Sequence, residues 1–255
     1  LPIDRLDVVI QTICEKLHGV EEPGGRVAYS PMAAHALMGE MLCRTDPKKR
    51  SYREIVHQDL FEPLGMTSSA IGVRKDLQPR HIVPEFPPNF ASTHPSSTVP
   101  GENGAFEDEH AEMPWVGGVS TVPDLVRFAE ALRRGGELDG KRVLSPRILD
   151  MAIENRTGEA PNELYKAMAL MRGWLPYPAY IGLGFSLRGT AICQHQFGTM
   201  ATPRAFGNHG AGSTLFWVDP ELDMTFACLT THLMPEPDNI LRFQRLSDIA
   251  ISAAI

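Results

Sequence analysis

The order of helix and strand signals along this 255-residue chain predicts an α+β protein, an antiparallel sheet flanked by helices. Two observations carry that reading. Helical patterns come first, then a hairpin of short strands, then a last helix, and nowhere do strands and helices alternate as the β-α-β units of a doubly wound sheet require.

The elements are punctuated in turn. From Met32 to Cys43 the residues Ala34, Leu37, Met38, Met41 and Leu42 fall at i, i+3, i+4, i+7 and i+8, one apolar stripe expected to pack on a core. Ser51-Tyr52-Arg53-Glu54 is a capping box that opens a second helix toward Leu60, stopped near Pro63-Leu64-Gly65. Thr121-Val122-Pro123-Asp124 caps a third, with Leu125, Phe128, Ala129 and Leu132 as its stripe and Gly135-Gly136 at its end. Ser145-Pro146 sets an N-cap before a proline in the first helical position and starts a fourth, through about Glu154. A fifth, from about Asn239 to the end, is expected to bury Phe243, Leu246, Ala250 and Ala253. Ile181 to Leu187, Ser213 to Val218 and Met224 to Thr231 read as strands, the last two joined by the turn residues Asp219 to Asp223.

Composition narrows the function classes. With 24 Lys plus Arg, 31 Asp plus Glu and 43% hydrophobic residues, the chain reads as one globular domain over 1–255 with a net charge of −7. It lacks the basic stripe that nucleic acid or an anionic membrane would need, and no apolar run is long enough to span a bilayer. Cysteines 14, 43, 193 and 228 form no C-x-x-C pair and no metal-finger spacing, so neither a metal nor a cofactor is expected. One irregular excursion, about 78–114, holds seven prolines and reads either as a lid-like loop or as a solvated connection. The opening Leu1-Pro2-Ile3-Asp4 has no initiator Met and no signal-peptide pattern, and reads as a fragment, a processed product or a chain begun partway through a fold. Cytoplasmic residence and export with a removed signal both stay open.

Phosphate-cradling, zincin and α/β-hydrolase motifs are all missing. Two segments carry the remaining chemical interest. In Pro23-Gly24-Gly25-Arg26-Val27-Ala28-Tyr29-Ser30 a turn delivers a tyrosine just before a helix, and Tyr29 is there either an anchoring aromatic or an acid–base group. In Gly207-Asn208-His209-Gly210-Ala211-Gly212 a glycine-dense run leads into a strand, and His209 is there either structural or catalytic.

These segments, together with Phe61-Glu62-Pro63-Leu64-Gly65-Met66-Thr67 and Gly117-Gly118-Val119-Ser120-Thr121, occur in an order that resembles the serine β-lactamase and penicillin-binding-protein-like family. The phrasing looks most like the branch of class C β-lactamases and carboxylesterases, from about Pro23 to the last helix. The resemblance implies a β-lactamase/transpeptidase-like fold and acyl transfer through a serine of a Ser-x-x-Lys motif. It further implies a tyrosine general base, here Tyr29, its pKa pulled below the usual ~10 by cationic neighbours. A third motif on a sheet strand, here Asn208-His209-Gly210, would face the substrate, with the Ala211 N–H as an oxyanion donor.

Departures from that pattern shape the expectation. No serine of this chain has a lysine three residues on, so the nucleophile is expected in a segment the chain does not contain. Pro31 stands where the family's Tyr-x-Asn has its asparagine, and Asn208 where the third motif has a cation or imidazole. The expected function is a serine hydrolase acting on small acyl esters, without efficient acyl chemistry in this chain alone. The alternatives are a non-catalytic binding relative, and a β-lactamase or D-alanyl peptidase.

Overall fold

A computed structural model describes residues 5–19, 22, 24–82, 108–210 and 214–254, so residues 83–107 of the expected excursion lie outside the described residues. The chain divides into two compact units, one of residues 1–21 and 30–124, the other of residues 22–29 and 125–255. Among the described residues no helix is long and apolar enough to cross a membrane.

The first unit opens with α1 (Leu6–Lys16), a helix absent from the sequence expectation although Leu6, Val9, Ile10 and Ile13 fall at helical spacing. These side chains pack with Ala36 of α2 (Pro31–Thr45), beside Met32, Tyr52 and Trp115. Here the structure overturns an expectation. The buried face of α2 consists of Ala36 and Gly39, while Leu37, Met38, Met41 and Leu42 are exposed, Met38 by 56% and Met41 by 64%. The cause is close approach: α1 reaches α2 over its small residues, and a side chain on Gly39 would run into Pro114. The capping box at Ser51 forms as expected, Ser51 N donating to Glu54 Oε2 at 2.8 Å, and opens α3 (Tyr52–Val56), which continues as a π-helical turn over His57–Phe61. A two-stranded antiparallel pair, β1 (Ala70–Ile71) with β2 (Gly118–Val119), leads into α4 (Val122–Arg133). Buried Asp124 accepts from Ser68 N and Ser69 Oγ, each at 2.8 Å.

In the second unit the rest of α4 ends at Gly135 and Gly136, whose φ values of +71° and +90° suit glycine alone, and a short hairpin of β3 (Glu137–Leu138) and β4 (Lys141–Arg142) follows. Ser145 Oγ then caps α5 (Pro146–Ala152), accepting from Ile148 N at 3.2 Å. Asn162 likewise caps α6 (Glu163–Met171), a helix that no sequence expectation covers. The sheet runs β5 (Ser186–Leu187), β6 (Phe206–Gly210), β7 (Thr214–Asp219), β8 (Met224–Leu229) in that spatial order, antiparallel throughout. β6 takes in the first part of the glycine-dense run, through Gly210, and so carries the third-motif residues Asn208 to Gly210 on a strand, as the resemblance implies.

On one side of this sheet Phe206 and Val218 pack with Ala129, Leu132 and Leu149. On the other, Leu215 and Trp217 pack with Phe197 and with Phe243 and Ile251 of α7 (Glu236–Ala254). Ile251 takes the buried place expected for Ala253, which is exposed. A chain of hydrogen bonds runs through this layer: Trp217 Nε1 donates to Ser247 Oγ at 3.0 Å, and that hydroxyl donates to the Gln196 carbonyl at 2.9 Å.

Candidate active site

Everything that follows lies in the second unit. Val27 pairs with Asn162 in a parallel bridge, with Glu163 N donating to the Val27 carbonyl at 2.9 Å, so Tyr29 is delivered beside the start of α6, which carries Tyr165. Pro161 in turn bridges Pro178, with Ala179 N donating to the Ala160 carbonyl at 2.9 Å, which brings Tyr177 to the same place. Three tyrosines distant in sequence are thereby gathered by two backbone bridges.

Along β6 successive side chains point to opposite faces, and the third-motif residues divide accordingly. Asn208 turns back toward β5, its Nδ2 donating to the Gly184 carbonyl at 2.6 Å and its Oδ1 accepting from Ser186 N at 3.2 Å. His209 turns toward α7, where its ring meets Phe243 edge-on at 6.3 Å and its Nε2 contacts Glu236. Gly210 pairs with Thr214 at the mouth of the β6–β7 hairpin, and Ala211 lies outside the described residues.

Glu236 is the hub. It accepts from His209 Nε2 and, at 3.4 Å, from the Tyr165 hydroxyl, which lies 3.5 Å from that same Nε2. Burial opposes its ionisation, yet these hydrogen bonds hold its carboxyl below the usual carboxylate range. An ionised acceptor on Nε2 assigns the proton to that nitrogen and leaves a lone pair on Nδ1 in the neutral ring. The His209 side chain is 7% exposed, and its Nδ1 is buried with no hydrogen-bond partner among the described residues.

The tyrosines feel the opposite influence. Burial and then Glu236 raise the hydroxyl of Tyr29, which is 49% exposed as a residue, and burial foremost raises Tyr165 and Tyr177 well beyond the ordinary phenol. Among the described residues the charge acting on Tyr29 is the Glu236 anion, so the lowering expected from cationic neighbours is not produced by these residues.

Tyr29 and His209 thus come to one locus through Glu236, whereas the Asn208 side chain is engaged elsewhere. Glu236, Tyr165 and Tyr177 are additions that sequence reasoning missed. Glu236-Pro237-Asp238 has the acidic first turn of a helix start, a legible signal for α7 but not for a site. The tyrosines are joined by backbone bridges that leave no local mark in sequence.

A family model described as Beta-lactamase matches residues 9–251. Among curated proteins the chain is similar to the Esterase/beta-lactamase LipL of Mycobacterium tuberculosis, 26% identical over 253 residues, which cover 89% of this chain and 54% of that protein. Among solved structures it is similar to a penicillin-binding-protein homolog from Caulobacter crescentus, with a TM-score of 0.72 and 22% identity over 96% of this chain and 65% of that one. It is also similar to EstA from Arthrobacter nitroguajacolicus, with a TM-score of 0.68 and 16% identity over 98% of this chain and 66% of that one. The chain spans about half the length of the curated relatives it matches.

Proposed function

The chain belongs to the β-lactamase family, and we propose on that basis that the protein takes part in hydrolysis or transfer of small acyl esters through an acyl-enzyme. The observation that carries this reading is the delivery of Tyr29 beside α6, whose Tyr165 hydroxyl bonds the Glu236 partner of His209, in a chain similar to a protein named an esterase/beta-lactamase. In the first step a serine hydroxyl adds to the ester carbonyl, its proton passes to the tyrosine oxygen, and the alcohol leaves with a proton returned to it. Water then releases the acid by the same exchange. The serine belongs to a Ser-x-x-Lys motif, which this sequence does not contain. The lysine of that motif would place a positive charge beside the phenol, which favours its anion and moves it toward the pKa a base needs.

The test is labelling of the full-length protein by a serine-directed phosphonate together with turnover of p-nitrophenyl acetate. We expect both, and a fall in kcat of about 10²–10⁴ for Tyr29→Phe, the usual worth of an acid–base group. The 255-residue chain alone should take no label. Full-length protein that neither labels nor turns over the ester would overturn the proposal.

Pro31 and Asn208, standing where the family's second and third motifs carry other residues, favour one second reading, a relative that binds acyl compounds without reacting. It predicts saturable binding with no covalent adduct, and a rate loss on Tyr29→Phe excludes it.

A further inference from the structure

One oxygen of Glu236 joins three elements of the second unit. Glu236 is the first residue of α7, and its Oε1 accepts from Nε2 of His209 on β6 and, at 3.4 Å, from the hydroxyl of Tyr165 on α6. The side chains of His209 and Glu236 are 7% and 18% exposed, so water competes little for these bonds. Each element has support of its own: β6 pairs with β5 and β7, α6 is capped by Asn162, and α7 buries Phe243 and Ile251 against the sheet. How α6 stands relative to β6 is another matter, since among the described residues α6 has no broad packing contact with either β6 or α7. A second polar tie, Arg172 at the end of α6 with Asp238 of α7 at 2.8 Å, lies in a partly exposed pair and contributes little. The relation of these two elements bears on the candidate site, because Tyr29 follows the Val27–Asn162 bridge to the start of α6 and the Asn208–Gly210 run lies on β6.

We propose that Glu236 is a positioning residue for acyl transfer, holding His209 and Tyr165 so that the Tyr29 segment and the Asn208–Gly210 strand keep the spacing that the reaction needs. A carboxylate suits that task. Hydrogen bonds to an ionised acceptor are shorter and about twice as strong as neutral ones, and the donors around Glu236 keep it ionised against its burial. The demand for spacing is chemical: the group that takes the serine proton and the donors that hold the oxyanion must meet one carbonyl together, and a displacement of ~1 Å costs about 10²-fold in rate. The inference rests on the ester-directed reading and deepens it, naming a residue outside the three motifs that acts through α6 and β6.

The experiment has two arms. In the full-length protein, Glu236→Ala should lower kcat for p-nitrophenyl acetate about 10²-fold while KM changes by less than about threefold, the signature of lost placement and not of lost binding. Glu236→Gln, whose amide oxygen still accepts from both donors, should stay within about fivefold of the parent, and Tyr165→Phe, which removes one of the two bonds, should lower kcat about tenfold. The double variant Glu236→Ala with Tyr165→Phe should be no slower than Glu236→Ala, because the phenol acts through the carboxylate. In the 255-residue chain, amide hydrogen exchange reads the same tie without catalysis. There Glu236→Ala should speed exchange about tenfold at Glu163, whose N–H bonds the Val27 carbonyl, and at Lys166 in the same helical turn, and should leave the β7–β8 pair protected. A Glu236→Ala protein within about twofold of the parent in kcat, a Gln variant as slow as the Ala variant, or additive losses in the double variant would overturn the inference. So would a loss confined to KM, unchanged exchange at Glu163 and Lys166, or exchange raised equally in β7 and β8, which assigns Glu236 to general stability. An inactive parent protein fails the ester reading and leaves the tie to be decided by exchange, whereas an active parent with an unaffected Glu236→Ala variant fails this inference alone.

Discussion

Helices α2 and α7 carry equally plain apolar patterns in sequence but meet opposite fates. Along α7 the positions Ile240, Phe243 and Ile251 are buried, the last two against the sheet, and even the polar Ser247 is buried and bonded to Trp217. Along α2 the stripe of Leu37, Met38, Met41 and Leu42 is exposed, and the helix instead buries Ala36 and Gly39. Periodicity therefore identifies a helix and its apolar face, but which face is covered depends on what the rest of the fold brings to it. An exposed face of this kind favours association.

The largest test of that contrast is Phe243→Ala. Its ring is fully buried among Phe197, Leu215 and Trp217, and truncation should cost about 3–5 kcal/mol in urea unfolding of the 255-residue chain, the usual worth of an aromatic removed from a core. A cost under about 1 kcal/mol would mean that the seal on α7 is loose.

A smaller effect should appear in acid. Buried His195 lies between the sheet layer and α7, its backbone N–H donating to Gln244 at 3.0 Å and its Nδ1 accepting from Phe197 N at 3.2 Å. Burial first, and then Arg188, push its imidazole down to about 3. The unfolded chain holds its histidines near ~6.5, so between these values it binds more protons than the native form. The stability due to the neutral ring is thus present above about pH 6.5 and is lost as pH falls toward 3, at about 1.4 kcal/mol per pH unit. His195→Asn, whose Oδ1 replaces Nδ1 as acceptor, should flatten the slope of unfolding free energy between about pH 4.5 and 6.5, and an unchanged slope would assign that dependence to other groups.

The smallest effect belongs to α2. Met38→Ser with Met41→Ser should change the stability of this chain by less than about 0.5 kcal/mol and lower its tendency to associate in sedimentation. A loss of about 2 kcal/mol or more would show that the face is covered in solution, and would erase the contrast with α7.

Much of the fold was legible because its signals are local. Ser51, Ser145 and the Gly135-Gly136 stop act within a few residues of themselves through backbone hydrogen bonds and backbone conformation, and each appears where the sequence sets it. The β7–β8 hairpin is of the same kind, its buried Asp219 accepting from Glu221 N at 3.1 Å and Leu222 N at 3.2 Å. The strand identity of β6 was legible through the motif resemblance and not through its periodicity, since two glycines in Phe206–Gly210 dilute a pattern that pairing with β5 and β7 imposes.

The candidate site divides in the same way. Order and phrasing of motifs along the chain suffice to single out Tyr29 and the Asn208–Gly210 run. That Asn208 turns away to Gly184, that His209 faces Glu236, and that burial and an anion raise Tyr29 depend on strand alternation and on the two bridges, one of which joins residues over a hundred positions apart. Most of the helices, their caps, the hairpin and the family are written in the chain itself, because they rest on nearest neighbours and on the order of motifs. Which apolar face is covered and what charge the tyrosines meet are settled in three dimensions, because burial and Coulomb interactions act through space, between groups that the chain alone leaves far apart.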